Sequence, residues 1–172
     1  MLFLRRPDEA DKGALAEFVA EFRAAGEDHM YGSSGMATMP FAEWLAVCRG
    51  DEQEESVRPG RVPSTQYLCV RQGDGRIVGC VALRHRLNEG LLQKGGHIGY
   101  AIRPGERRKG YGAEQLRLTL ERCAEMGIAR ALVTCDAGNL GSAGVMLKNG
   151  GAEDESFTEE SGQVVRRFWF DT

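Results

Sequence analysis

The segment that most constrains this chain is Arg107-Arg108-Lys109-Gly110-Tyr111-Gly112, because it stands directly between a strand-forming run and a helix-forming one. Before it, His97 to Ile102 (HIGYAI) has the content of a strand, ended by Pro104 and Gly105. After it, Ala113, Leu116, Leu120 and Cys123 recur on one helical face, and Gly127 supplies the stop. A loop so placed aims several backbone N–H groups at one spot, and the helix N-terminus adds partial positive charge, so a phosphate can be held without side chains. Glycine serves where the backbone bends sharply or where a ligand would collide with a Cβ. Arg107, Arg108 and Lys109 add attraction for the same anion. The segment is not the GxxxxGK[ST] of a nucleotide triphosphatase. Nor is it a GxGxxG followed by an acidic residue about twenty positions on, as a dinucleotide fold requires.

The rest of the chain arranges itself around this junction. Leu2 to Leu4 read as a short strand, with Pro7 and Asp8 opening a helix whose face is Leu15, Phe18, Val19 and Phe22 and whose stop is Gly26. His29 to Met39 is a glycine- and serine-rich loop, Phe41, Trp44, Leu45 and Cys48 mark a second helix, and DEQEESVRPGRVPS is too polar to pack. Gln66 to Arg71 and Arg76 to Leu83 form a hairpin around Gly73-Asp74-Gly75. Ala131 to Cys135 is a strand, about Ser142 to Lys148 a short helix, and the tail a hairpin ending in Val164 to Phe170. This order predicts one α/β domain over residues 1–172, a mixed and mostly antiparallel central sheet with helices on both faces.

Composition narrows the function classes. Residues 1–60 carry six basic and twelve acidic side chains, net −6, whereas residues 84–130 carry ten basic and five acidic, net +5. A cationic middle suits a phosphorylated ligand and an acidic front a cationic one, unless the charges only solvate helix faces. The basic residues form no long run with interleaved aromatics, which argues against nucleic acid as a partner. No apolar run is long enough to span a bilayer and no signal-peptide core is present, so the reading is of a soluble, cytoplasmic chain without a membrane partner. The five cysteines at 48, 69, 80, 123 and 135 lack CxxC spacing and sit in apolar stretches, so neither a disulfide framework nor a metal site is expected.

RRKGYG matches the [RQ]-x-x-G-x-[GA] signature of the GNAT superfamily of acyl-CoA N-acyltransferases, and HIGYAIRPGER before it resembles that superfamily's fourth strand and closing turn. Asn139-Leu140-Gly141-Ser142 and Lys148-Asn149-Gly150-Gly151 resemble its N-x-x-S and K-x-G-F. The likeness covers residues 66–151 well and the first 65 in element order alone, and the segments RHRLN and GGHIGY are shared with bacterial acetyltransferases of this kind. It implies that acetyl-CoA is the acyl donor and that the backbone amides of Arg108 to Gly112, with Arg107 beside them, grip its pyrophosphate. It implies further that the pantetheine arm runs along Tyr100, Ala101 and Ile102, in a wedge where that strand splays from Ala131 to Cys135. Asn139 would hydrogen-bond the arm, and Ser142 would cap the next helix or touch the cofactor.

Acetyl transfer to an amine needs a neutral nucleophile, and an alkylammonium of pKa about 10 has no lone pair at neutral pH. His97 stands where many relatives carry a glutamate base, and an unperturbed imidazole pKa of about 6.5 suits that task. Where many relatives carry a tyrosine acid, four residues after the N-x-x-S serine, this chain has Met146. The leaving thiolate is then left to water, to a residue such as Tyr100, or to direct transfer within the ternary complex. Arg84 or Arg86 would bind an acceptor carboxylate, or Glu27 and Asp28 a cationic acceptor. The leading expectation is an N-acetyltransferase acting by direct attack in a ternary complex on an unidentified primary amine, a small molecule or a peptide. A catalytically silent acyl-CoA sensor of the same fold is the alternative, and the oligomeric state stays open, a homodimer included.

Overall fold

A computed structural model describes residues 1–172. In chain order, β1 is Leu2–Arg5, α1 Lys12–Ala24, α2 Phe41–Gly50, β2 Ser64–Arg71, β3 Ile77–Arg84, α3 Glu89–Gln93, β4 Ile98–Ile102, α4 Tyr111–Glu125, β5 Arg130–Asp136, α5 Leu140–Lys148, β6 Ala152–Thr158 and β7 Val164–Asp171. Short 3-10 turns cover Glu9–Asp11 and Pro104–Glu106. The first is fixed by a reciprocal cap: the Asp8 side chain accepts from the Ala10 N–H while Asp11 accepts from the Asp8 N–H. Asp11 is also gripped by Arg5, which ties the end of β1 to the start of α1.

The strands form two sheets. An antiparallel one runs β1-β2-β3-β4, and a second runs β5-β7-β6. The mostly antiparallel sheet with helices on both faces is as expected, and it splays between β4 and β5 as the resemblance implies, the two sheets meeting at one bridge just before β4, Gly96 to Val133. Helices cover both faces of the first sheet, and alternation along β2 explains how. Tyr67 and Cys69 join a core with Leu116 and Cys123 of α4 and Met146 of α5, while Leu68 and Val70 join a core with α1 and α2. The expected α1 face, Leu15, Phe18, Val19 and Phe22, is buried throughout, and each such side chain contributes about 1.5–3 kcal/mol.

Three local readings change. Gln115 and Thr119 of α4 are fully buried, which no apolar period reveals. The amide of Gln115 donates to the Cys80 carbonyl and its Oε1 fills the space a Cβ at Gly79 would need, 2.0 Å away. The segment taken as too polar to pack is anchored by buried Asp51, whose carboxylate takes three hydrogen bonds from the Arg58 side chain, and by buried Val62. A short helix, α3, occupies Glu89–Gln93, where Asn88 caps it by accepting from the Leu91 N–H. The charge asymmetry is largely internal: Glu21 meets Arg103 and Arg76, Glu27 meets Arg107, and Glu54 meets Arg86.

Candidate active site

The junction between β4 and α4 is held open by backbone conformation. Arg108 has φ +63° and Gly110 φ +85°, so two left-handed residues turn the chain within three positions. For an arginine that conformation costs on the order of 1–2 kcal/mol. As a result the N–H groups of Arg108, Lys109, Gly110, Tyr111 and Gly112 find no acceptor in the chain: Arg107 still donates to the Pro104 carbonyl, and bonding resumes at Ala113, which donates to Gly110. A Cβ at Gly110 would meet nothing within 4 Å, so the space over these amides is open. The side chains around them divide. Arg107 is taken up by Glu27, the Ile102 carbonyl and the face of Phe22, and Lys109 by buried Glu106. Of the three cations expected to attract an anion, Arg108 alone has no carboxylate partner. Tyr111 packs its ring on the core and accepts from Arg71.

From this junction the free edge of β4 runs back toward the division between the sheets. Its other edge is paired with β3, Ile102 with Gly79 through Ile98 with Leu83. Where the sheets part, the Tyr100 hydroxyl and Ser142 Oγ are 2.8 Å apart. Burial pushes the Tyr100 phenol up to about 12, so it is protonated at every physiological pH. Asn139, not Ser142, caps α5: its Oδ1 accepts from the Ser142 N–H at 3.0 Å, leaving its amide N–H groups free. Met146 is wholly buried in the core beneath.

His97 lies just before β4 and acts as a clasp. Its N–H donates to the Leu132 carbonyl, its carbonyl accepts from Arg84, and its Nδ1 accepts from the Leu132 N–H at 3.0 Å. A neutral imidazole has one lone pair for accepting, and here the β5 backbone occupies it. Burial and the nearby Arg84 charge also lower the His97 pKa. The expected base therefore sits with its lone pair engaged, and it does not line the adjoining cavity.

That cavity, of about 730 Å³, opens between the 29–39 loop, β4 and the end of β5, with Tyr100, Asn139 and Ser142 in its wall. Its front wall is the expected glycine- and serine-rich loop, held in place by hydrogen bonds from side chains elsewhere in the chain. Buried Gln66 donates to the carbonyls of Gly32 and Val81, Ser34 donates to Gln66, and Trp44 donates to the Ser33 carbonyl. Gly32, at φ +67°, lies so close to β4 that a Cβ would stand 2.1 Å from the Gly99 carbonyl oxygen. The loop brings His29 to the cavity, its ring edge-on to Tyr31, whose hydroxyl donates to Asp136 at 3.3 Å. Arg84 and Arg61 line the same space, while Arg86 pairs with Glu54 outside it. No periodicity or motif marked His29, Tyr31, Arg61 or Asp136. The only signal was the clustering of glycine and serine in HMYGSSG.

Comparison with known proteins agrees with this architecture. No curated protein matches the sequence significantly. Among solved structures, a ribosomal L7/L12 α-N-protein acetyltransferase in complex with coenzyme A is 18% identical with a TM-score of 0.71, covering 99% of this chain and 93% of its own. An acetyltransferase from Salmonella typhimurium that modifies the N-terminal serine of L7/L12 is 18% identical with a TM-score of 0.68, covering 99% and 95%. The ribosomal-protein-S5-alanine acetyltransferase of Vibrio fischeri is 13% identical with a TM-score of 0.69, covering 98% and 91%. At such identities these neighbours establish the fold. The family model of the acetyltransferase (GNAT) domain matches residues 1–152, and the chain belongs to that family of acetyltransferases.

Proposed function

We propose that residues 1–172 act as one domain that transfers the acetyl group of acetyl-CoA to an amine nitrogen by direct attack in a ternary complex. The observation that carries this reading is the run of five unpartnered amides from Arg108 to Gly112, which leads along the open edge of β4 to a cavity walled by Tyr100 and Ser142. Those amides suit the pyrophosphate, with Arg108 as the free cation and Arg107 and Lys109 holding the loop in shape. The edges of Tyr100, Ala101 and Ile102 and the free amide of Asn139 suit the pantetheine arm.

The thioester supplies an acyl carbon and a thiol leaving group. The nitrogen lone pair forms the new C–N bond, the C–S bond breaks, and the sulfur ends as a thiol carrying a proton the nitrogen sheds. Tyr100 and Ser142 serve the sulfur. A phenol near 12 facing a thiol of about 8.5 would lose about 5 kcal/mol by full transfer, so Tyr100 stabilises the developing thiolate by hydrogen bonding until the shed proton arrives. His29, the one imidazole in the cavity wall, is our candidate to receive that proton from the amine, directly or through water. His97 holds β5 against β3.

An acceptor-amine panel with acetyl-CoA, scored by thiol release and by mass of the acetylated product, tests the reading. Transfer to at least one amine is expected. A protein that binds acetyl-CoA calorimetrically but releases no thiol with any amine is the silent sensor instead. The neighbours named for ribosomal N-terminal serine and alanine place peptide α-amines in that panel beside small molecules.

A further inference from the structure

Arg84 ends β3 in the cavity wall with an unusual set of partners. Both of its hydrogen bonds come from Nη1, to the carbonyls of Gly95 at 3.0 Å and Gly96 at 2.9 Å. Nε and Nη2, the edge of a guanidinium that grips a carboxylate with two parallel bonds, donate to nothing in the chain. No carboxylate neutralises it: the charged group that acts on it is Arg61, another cation of the same cavity, which itself lies in no ion pair. The cavity's carboxylates are engaged or remote. Asp51 belongs to Arg58, Asp136 takes hydrogen bonds from Tyr31 and Gln163, and Asp28 stands on the front loop.

The position of this cation matters as much as its isolation. A Cβ at Gly99 would stand 3.6 Å from Arg84 Nη2, so the guanidinium lies against β4 one residue before Tyr100, at the end of the strand edge where the acetyl group is expected. A half-buried, unpaired guanidinium is costly to keep, and a carboxylate brought in by a ligand would offset that cost. The carbon bearing an α-amine also bears the carboxylate, so a carboxylate seated on Arg84 keeps the nitrogen within the cavity that Tyr100 also lines.

Resting on the acetyl-transfer reading, we propose that the acceptor is a small amine that carries a carboxylate close to its nitrogen, of the α-amino acid type, with Arg84 as its bidentate anchor and Arg61 as a second cation. The alternative for Arg84, polarising the thioester carbonyl, would make it serve every amine equally.

The test is steady-state thiol release with free L-amino acids and their C-terminal carboxamides as matched pairs. In the parent protein kcat/KM should favour the best acid over its amide by about ten- to hundredfold, the range of a charge-assisted pair. Arg84→Met should bring that ratio near one, mainly through KM, Arg84→Lys should restore part of it, and Arg61→Gln should lower it a few-fold. If Arg84→Met fails to fold because Gly95 and Gly96 lose their donor, the parent ratio and Arg61→Gln still decide. A parent ratio near one, or a ratio unchanged in folded Arg84→Met while all rates fall together, overturns the inference alone. No thiol release from any amine overturns the acetyl-transfer reading and this inference with it.

Discussion

The two ends of the site are made differently. The end at α4 is built from main chain: five amides aimed outward by left-handed turns at Arg108 and Gly110, then the bare edge of β4. The end at the 29–39 loop is built from side chains, with His29, Tyr31, Arg61, Arg84 and Asp136 drawn from separate segments that meet only in the folded chain. A backbone-made site tolerates change in most of its side chains but not in its φ angles, whereas a side-chain site can be retuned residue by residue. One end is therefore suited to an invariant donor and the other to a chosen acceptor.

The largest effect expected lies where the two ends meet. Tyr100→Phe keeps the ring against the core but removes the hydroxyl shared with Ser142, and kcat should fall by about 10²-fold or more with acetyl-CoA affinity nearly kept. Equal losses in kcat and in acetyl-CoA binding would place Tyr100 at the donor end alone. Next is Gly110→Val. Open space receives the new side chain in the free protein, but the φ of +85° disfavours it and its bulk stands over the free amides. The rise in Tm that acetyl-CoA produces should shrink by the equivalent of about tenfold or more in affinity. An undiminished rise in the folded variant would break the backbone-made half of the comparison.

A smaller effect separates structure from binding at Asn139. Asn139→Ala removes the cap of α5, worth about 0.5–2 kcal/mol, as well as the amide donor. Asn139→Asp keeps the cap and trades the donor for a carboxylate charge, which the helix N-terminus tolerates, so it should leave Tm almost unaltered and weaken acetyl-CoA by about twofold to twelvefold or more in calorimetry. Equal dissociation constants would make Asn139 a cap and nothing more.

This division also explains what could be read from the sequence. The β4–α4 junction was legible because local order creates it: a strand, a proline turn, glycines and a helix follow one another, and the atoms proposed to hold the pyrophosphate are backbone. The α1 face was legible because its period is local too. The acceptor end was not, since nothing in HMYGSSG states that Gln66 and Trp44 will clamp that loop onto β4 at Gly99. Arg107 and Lys109 read as phosphate ligands because their partners, Glu27 and Glu106, become visible only in three dimensions. Position on a strand likewise suggested a base at His97, but position says nothing of where a lone pair points.

His97 gives the smallest and most discriminating expectation. Burial and Arg84 lower its pKa in the folded chain, whereas an unfolded imidazole takes its proton near about 6.5. Between those two values the unfolded state binds more protons, so this contribution to stability is complete above about pH 6.5 and is lost as the pH falls toward the folded pKa. Protonating Nδ1 would also break the bond from the Leu132 N–H that clasps β5. Tm should therefore drop from pH 7 to 5, about 2–4 °C for each kcal/mol lost. His97→Gln, whose side-chain oxygen can still accept from Leu132, should flatten part of that drop while sustaining turnover at pH 8. His85, lowered by burial and bonded to Thr65, has the same sign and should account for a share of the remaining slope. Carboxylates such as Asp74, held down to about 2 by Arg71, act in the same direction but in a more acid window. A folded His97→Gln protein with parental pH dependence of Tm and a hundredfold loss of kcat would make His97 the base after all, and the chemistry would then belong to β4 instead of the front loop.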